Sequence, residues 1–120
     1  MRGEQFITRR NQYALVYDKG STRLDSLLVM RSLPSGLSLS RYGFSVSRRV
    51  GTAVTRNRVR RRLREILRLA TLKPGWDIVF VVRPAAAGAD YAALRRSVLE
   101  LLSRAQLLTN EHEELGIRVN

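Results

Sequence analysis

The sequence predicts an α/β (α+β) two-layer sandwich, on three observations. Val59, Leu63, Ile66, Leu67 and Ala70 form a stripe at helical spacing; Leu94, Val98, Leu101, Leu102 and Ala105 form a second one; between them, Ile78 to Val82 is apolar without alternation. An apolar stripe on a helix needs a surface to cover. An unalternating apolar run is the mark of a strand buried on both faces. Helices and a sheet that must hide each other's apolar sides pack as layers around one core.

Element by element, Tyr13, Val16 and Tyr17 recur at i, i+3 and i+4 between Thr8 and Lys19, and Gly20 is a C-terminal stop, which predicts a short first helix. Leu27 to Met30 reads as a strand, Pro34-Ser35-Gly36 as a turn, and Tyr42 to Ser47 as a second strand antiparallel to it. Alternation in that strand puts Phe44 and Val46 on one face. Gly43, Ser45 and Ser47 share the other, small enough for a ligand to lie close to the backbone. Thr55 to Thr71 is the clearest helix, Pro74-Gly75 a turn, and Ile78 to Val82 a central strand that Pro84 ends. Ala85 to Ala89 reads as a small-residue linker, and Asp90 as the cap of the last helix. Phe44, Trp76, Phe80 and Tyr91 are assigned to the core or its edge. No repeat or internal boundary breaks the 120 residues, so residues 1–120 are expected to be one domain, with a core over about 8–105 and a tail at 106–120.

Charge narrows the function. The net charge is +12, and of the 22 basic residues only Lys19 and Lys73 are lysine. Arginine's planar fork pairs with phosphate in two places at once and stacks on bases, so the expected partner is a nucleic acid. There is no cysteine, which excludes disulfides and thiolate-bound zinc. With no apolar leader and no run long enough to span a bilayer, the expected location is the cytoplasm.

Most of the excess charge lies between Arg41 and Trp76, where Arg41, Arg48, Arg49, Arg56, Arg58, Arg60, Arg61, Arg62, Arg64, Arg68 and Lys73 face a single acid, Glu65. A salt-bridged surface helix needs acids at i+3 or i+4, and the one acid, Glu65, is available to Arg61 and Arg68 but not to most of these arginines. Cations crowd the first two turns, where the helix dipole disfavours them by roughly 0.3–1 kcal/mol each near the end. A helix that tolerates this repulsion is an anion site. Arg56, Arg60 and Arg64 make one row, and Arg58, Arg61, Arg62 and Arg68 fan around the other side, so two nucleic-acid segments can be touched at once.

Tyr13 and Tyr17 admit two readings: stacking platforms for unpaired bases, or amphipathic core residues with solvated hydroxyls. Protein-based nuclease chemistry has no visible support. The ten acids are scattered, and the one histidine, His112, stands among Glu111, Glu113 and Glu114 in the tail. Asp18, Asp25 and Asp77 are expected to serve turns, caps or ion pairs. No catalytic or metal-binding residue is expected here, so any catalysis must come from another molecule.

Residues 42–65, YGFSVSRRVGTAVTRNRVRRRLRE, closely resemble the signature of the bacterial ribonuclease P protein family, with its Arg-Asn-Arg helix start. The likeness extends through YALVYDKG at 13–20 and DIVFVVRP at 77–84. The resemblance implies an αβββαβα order with a left-handed βαβ crossover, against the usual rule. It implies a ribonucleoprotein endonuclease in which a catalytic RNA carries the reactive centre and its Mg2+, the protein alone being inactive, with one protein per RNA. Contacts to the catalytic RNA would fall to Arg48, Arg49, Arg56, Asn57, Arg58, Arg60, Arg61, Arg62, Arg64 and Arg68. The single-stranded 5′ leader of precursor tRNA would lie against Tyr13, Tyr17, Ser45 and Arg60. Tyrosines stand at 13 and 17 where phenylalanine is frequent, and Arg31 where some members have a leader-contacting tyrosine. Rival readings are a structural ribosomal-type RNA-binding protein, a helix-turn-helix DNA binder, and a free-standing nuclease. Strands flanking the basic helix disfavour the second and the missing carboxylate cluster the third.

Overall fold

The computed structural model describes residues 6–109, so the acidic tail around His112 lies outside the described residues. Helix α1 (Arg10–Lys19) is followed by strands β1 (Ser21–Leu24), β2 (Leu28–Pro34) and β3 (Arg41–Ser45), helix α2 (Ala53–Leu69), strand β4 (Trp76–Val82) and helix α3 (Tyr91–Arg104). That is the expected αβββαβα order, and the fold is α+β.

The sheet runs β1-β2-β4-β3. Strand β4 pairs antiparallel with β2 and parallel with β3, so β3–α2–β4 is the crossover unit. The strands read around Leu27–Met30 and Tyr42–Ser47 both exist and run in opposite directions, but they are not neighbours, because β4 lies between them. Both faces of β4 are covered. Ile78, Phe80 and Val82 join Leu28 and Met30 in the large core under Val59, Leu63 and Ile66 of α2 and Leu94, Val98 and Leu101 of α3. Val79 points the other way, where it meets Ile7 and Val16 beneath α1. Covering both sides is the physical reason for the missing alternation.

Local chemistry sets the ends. The Thr52 hydroxyl accepts from the Thr55 amide at 3.3 Å, so α2 starts at Ala53, two residues before the expected Thr55. Asp90 caps α3 by accepting from the Ala93 amide at 2.8 Å. The expected linker at 85–89 is a 3-10 turn, Pro84–Gly88, with Ala86 buried in the core. The core also runs past Ala105: Leu107 and Leu108 are buried, and the Lys73 amide donates to the Leu107 carbonyl at 2.8 Å. Gly20 lets the end of α1 approach β2, since a Cβ there would sit 2.5 Å from the Val16 carbonyl oxygen and 3.0 Å from that of Ser32.

Candidate nucleic-acid interface

Burying Val59, Leu63, Ile66 and Leu67 fixes the rotation of α2 and therefore the direction of every arginine on it. Of the row Arg56, Arg60, Arg64, the last two reach toward β3 and α1. The Arg64 guanidinium lies 5.9 Å from the ring centroid of Phe6, which itself packs edge-on against Tyr42 at 5.0 Å. Arg60 is near enough for its charge to act on the Tyr13 hydroxyl, and it donates to the Asn57 side chain at 3.2 Å. Arg56 has its Nε buried with no hydrogen-bond partner.

On the opposite flank, Arg58 donates to the Ala87 carbonyl at 3.4 Å and Arg62 to that of Ala89 at 3.1 Å, gripping the 3-10 turn before α3. Arg68 is paired with Glu65 at 2.7 Å. Arg48 and Arg49 lie on a 3-10 turn (Arg48–Val50) just before α2. Both, with Arg61, are exposed and have no side-chain partner among the described residues. The expected cations are thus on one helix and its entry turn, but they differ: some are free, some are spent on the protein itself.

The second feature is the surface where α1 meets the sheet. Helix α1 packs on β2 and β4, and Gly43 and Ser45 of β3 lie on the same face. Gly43 does not leave room for a ligand, as expected from its size, because Tyr13 fills that space: a Cβ on Gly43 would stand 2.3 Å from the tyrosine oxygen. Burial raises the Tyr13 hydroxyl above its ordinary pKa, against the opposing pull of the Phe44 backbone amide and of Arg60. Tyr17 is 40% exposed one turn further on, and Ser45 is half-buried on the same sheet face as Gly43. Ser47 has left the strand; its hydroxyl accepts from the Arg49 amide at 3.3 Å. Arg31, on the same sheet face, turns its guanidinium onto carbonyls at the end of α1.

The acids do structural work. Asp77 holds Arg41 through two hydrogen bonds, at 2.9 and 2.7 Å, across neighbouring strands, and this pairing raises the Arg41 pKa further despite partial burial. Asp25 accepts from the Leu27 and Leu28 amides, both at 2.9 Å, and from the Ser97 hydroxyl. Among the described residues no three His, Cys, Asp or Glu side chains come together in a way that could hold a metal ion.

Fold and surface together define an α+β sandwich with a cationic helix beside a first helix that bears two tyrosines, one of them exposed, the equipment of a protein that holds a polyanion. The family model for ribonuclease P matches residues 1–106. A ribonuclease P protein component from Dehalococcoides mccartyi is 46% identical over 120 residues, covering all of both chains. One from Caldanaerobacter subterraneus is 39% identical over 103 residues, 84% of this chain and 89% of that one. Among solved structures, the RNase P protein from Thermotoga maritima superposes with a TM-score of 0.76 at 28% identity, over 82% of this chain and 96% of that one. A Staphylococcus aureus RNase P protein mutant gives 0.85 at 24% identity, over 90% and 93%. The chain belongs to the ribonuclease P protein family. Its role is that of a protein subunit in an endoribonuclease holoenzyme that processes tRNA leaders, and its partner is an RNA.

Proposed function

We propose that the two features divide the work of the holoenzyme between two RNAs. The entry turn and flanks of α2, with Arg48, Arg49, Arg56, Asn57, Arg58, Arg61, Arg62, Arg64 and Arg68, bind the catalytic RNA. The surface where α1 meets the sheet, with Tyr17, Tyr13, Ser45 and Arg60, serves as a cleft that holds the single-stranded 5′ leader of precursor tRNA. Removal of the leader then yields the mature 5′ end. The observation that supports this reading is the position of Arg60: its charge reaches the Tyr13 hydroxyl, while Arg61 beside it is exposed with no side-chain partner among the described residues. One helix therefore serves both surfaces.

In this reading Tyr17 offers a ring for an unpaired base, Ser45 a hydroxyl for sugar or base edges, and Arg60 a fork for the leader phosphate. Free amides and cations at the start of α2 meet phosphates of the folded RNA. Mg2+ is assigned to the catalytic RNA, as the family resemblance implies, and no side chain of this chain is given a chemical step. The complex has one protein per RNA and works in the cytoplasm.

The test is cleavage of precursor tRNA in Mg2+ by protein alone, catalytic RNA alone, and both. Protein alone is expected to be inert, and its addition to the RNA is expected to raise affinity for precursor over mature tRNA. Metal-dependent cleavage by rigorously RNA-free protein would overturn the reading.

A further inference from the structure

Arg31 lies in the cross-strand row Thr22, Arg31, Val79, Gly43, which faces α1. Its Nε donates to the Val16 carbonyl at 3.3 Å. One terminal nitrogen donates to the carbonyls of Tyr17 and of Gly20, the latter at 3.0 Å, and the other donates to the Thr22 hydroxyl. The Val16 carbonyl also accepts from the Gly20 amide at 2.8 Å, whereas that of Tyr17, in the last turn, has no amide partner within the helix and is well matched to a cation with several donors. Apart from this fan of bonds, α1 rests on a small apolar patch: Ile7, Val16 and Val79, with Tyr13, Leu33 and Val81 around it. A helix so lightly buried depends on its polar ties for its position. One of the tied carbonyls belongs to Tyr17, the exposed ring of the cleft.

We propose that Arg31 is a positioning residue for leader recognition: it takes no part in contacting RNA, and instead pins the C-terminal turn of α1 so that Tyr17 stands where a leader base can stack. The inference rests on the cleft reading above. It accounts for a cation beside an RNA cleft whose donors all point inward. It also separates two roles that charge alone does not distinguish. A leader-contacting arginine would give a salt-dependent contribution, most of which lysine would preserve by keeping the charge. A clamp gives no salt dependence and is not replaced by lysine, because an ammonium cannot spread its donors over the same carbonyls in one plane.

The experiment compares precursor and mature tRNA binding by holoenzymes assembled with the unaltered chain, Arg31→Lys and Arg31→Met, each shown by thermal melting to be folded at the assay temperature. Both variants are expected to lower the precursor-over-mature ratio about three- to tenfold, short of the roughly five- to hundredfold loss that removing a whole stacked base brings. The slope of log ratio against log salt is expected to stay that of the unaltered chain. In a Tyr17→Ala background Arg31→Lys is expected to cost nothing further, since the ring it positions is gone. Should Arg31→Met fail to fold, Arg31→Lys carries the test. A ratio left intact by Arg31→Lys, a slope shallower by about 0.7 in Arg31→Met, which is one lost phosphate contact, or additive losses with Tyr17→Ala would each overturn the inference alone. Equal binding of precursor and mature tRNA by the unaltered holoenzyme would overturn the cleft reading, and the inference with it.

Discussion

Tyr13 and Tyr17 stand one turn apart on α1 yet meet different surroundings, so the two readings their spacing allowed divide between them. Tyr17 is the exposed one; Tyr13 is half-buried against Gly43 and the small patch around Val16. Tyr17→Ala is therefore expected to weaken precursor tRNA binding, by at most about 1–3 kcal/mol for one stacked base, with mature tRNA binding and the melting temperature unchanged. Tyr13→Ala is expected to lower the melting temperature as well, because it empties packing against the sheet. Calorimetry beside a binding titration separates the two. Asp25 carries a different kind of information. Burial would raise its pKa, but the Ser97 hydroxyl, the Leu28 and Leu27 amides and the charge of Arg104 outweigh that and hold it below the ordinary carboxyl value. A depressed folded pKa means stability that is fully present above the unfolded value, near 4, and lost as pH falls through the folded one. Urea melts of the unaltered chain and of Ser97→Ala should therefore differ at neutral pH and converge in strong acid. A gap that persists below pH 2 would show that Ser97 acts through packing. That Asp25 would serve a turn was legible from its place between apolar runs. Its bond to Ser97, and the fan Arg31 makes, were not, because each joins segments that only the folded chain brings together.

Helix α2 shows how far periodicity reaches. The apolar stripe located the helix and its buried side, and with it the division of arginines into two flanks. What spacing does not reveal is which guanidinium groups are already engaged. Arg61 is exposed without a partner, whereas its neighbour Arg62 holds the Ala89 carbonyl. Arg61→Ala is expected to weaken binding to the catalytic RNA with no change in stability to denaturant. Arg62→Ala is expected to cost stability too, about 0.5–1.5 kcal/mol for a partly exposed hydrogen bond. Equal stability losses in the two variants would mean the grip on the 3-10 turn contributes nothing. The other elements follow the same logic. Strand β4 and helix α3 were legible because burial on two faces, or on one helical face, leaves a pattern in the sequence. Strand β1, Ser21–Leu24, was not singled out from its own residues, since all four are exposed and it is defined only by pairing with β2. The place of β4 between β2 and β3 was equally hidden, because strand order is decided by contacts distant along the chain.

Across the whole molecule the excess of positive charge is unevenly shared, and this predicts how each RNA contact responds to salt. The net charge of +12 is concentrated on α2 and its entry turn. With Arg31 turned onto the end of α1, the cleft can offer the leader Arg60 and at most a share of Arg64, which is assigned to the catalytic RNA, stands in the same row and lies against Phe6. The surface assigned to the catalytic RNA offers Arg48, Arg49 and Arg61 free, and Arg56, Arg58, Arg62 and Arg68 with donors to spare. Each phosphate neutralised on a single strand contributes a slope of roughly −0.7 in log affinity against log salt, and on a duplex roughly −0.9. The leader slope is therefore expected near −0.7 to −1.4, and the assembly slope several times steeper, since more cations meet a denser phosphate array. Both are measured in the same monovalent salt at fixed Mg2+, the leader term being the ratio of precursor to mature tRNA binding by the holoenzyme. Stacking on Tyr17 contributes affinity without releasing counterions, so at high salt leader recognition should outlast assembly when the complex is kept together by excess protein. A leader slope as steep as that of assembly would mean that arginines now placed on the catalytic RNA reach the leader, and that the boundary between the two surfaces runs along the other flank of α2.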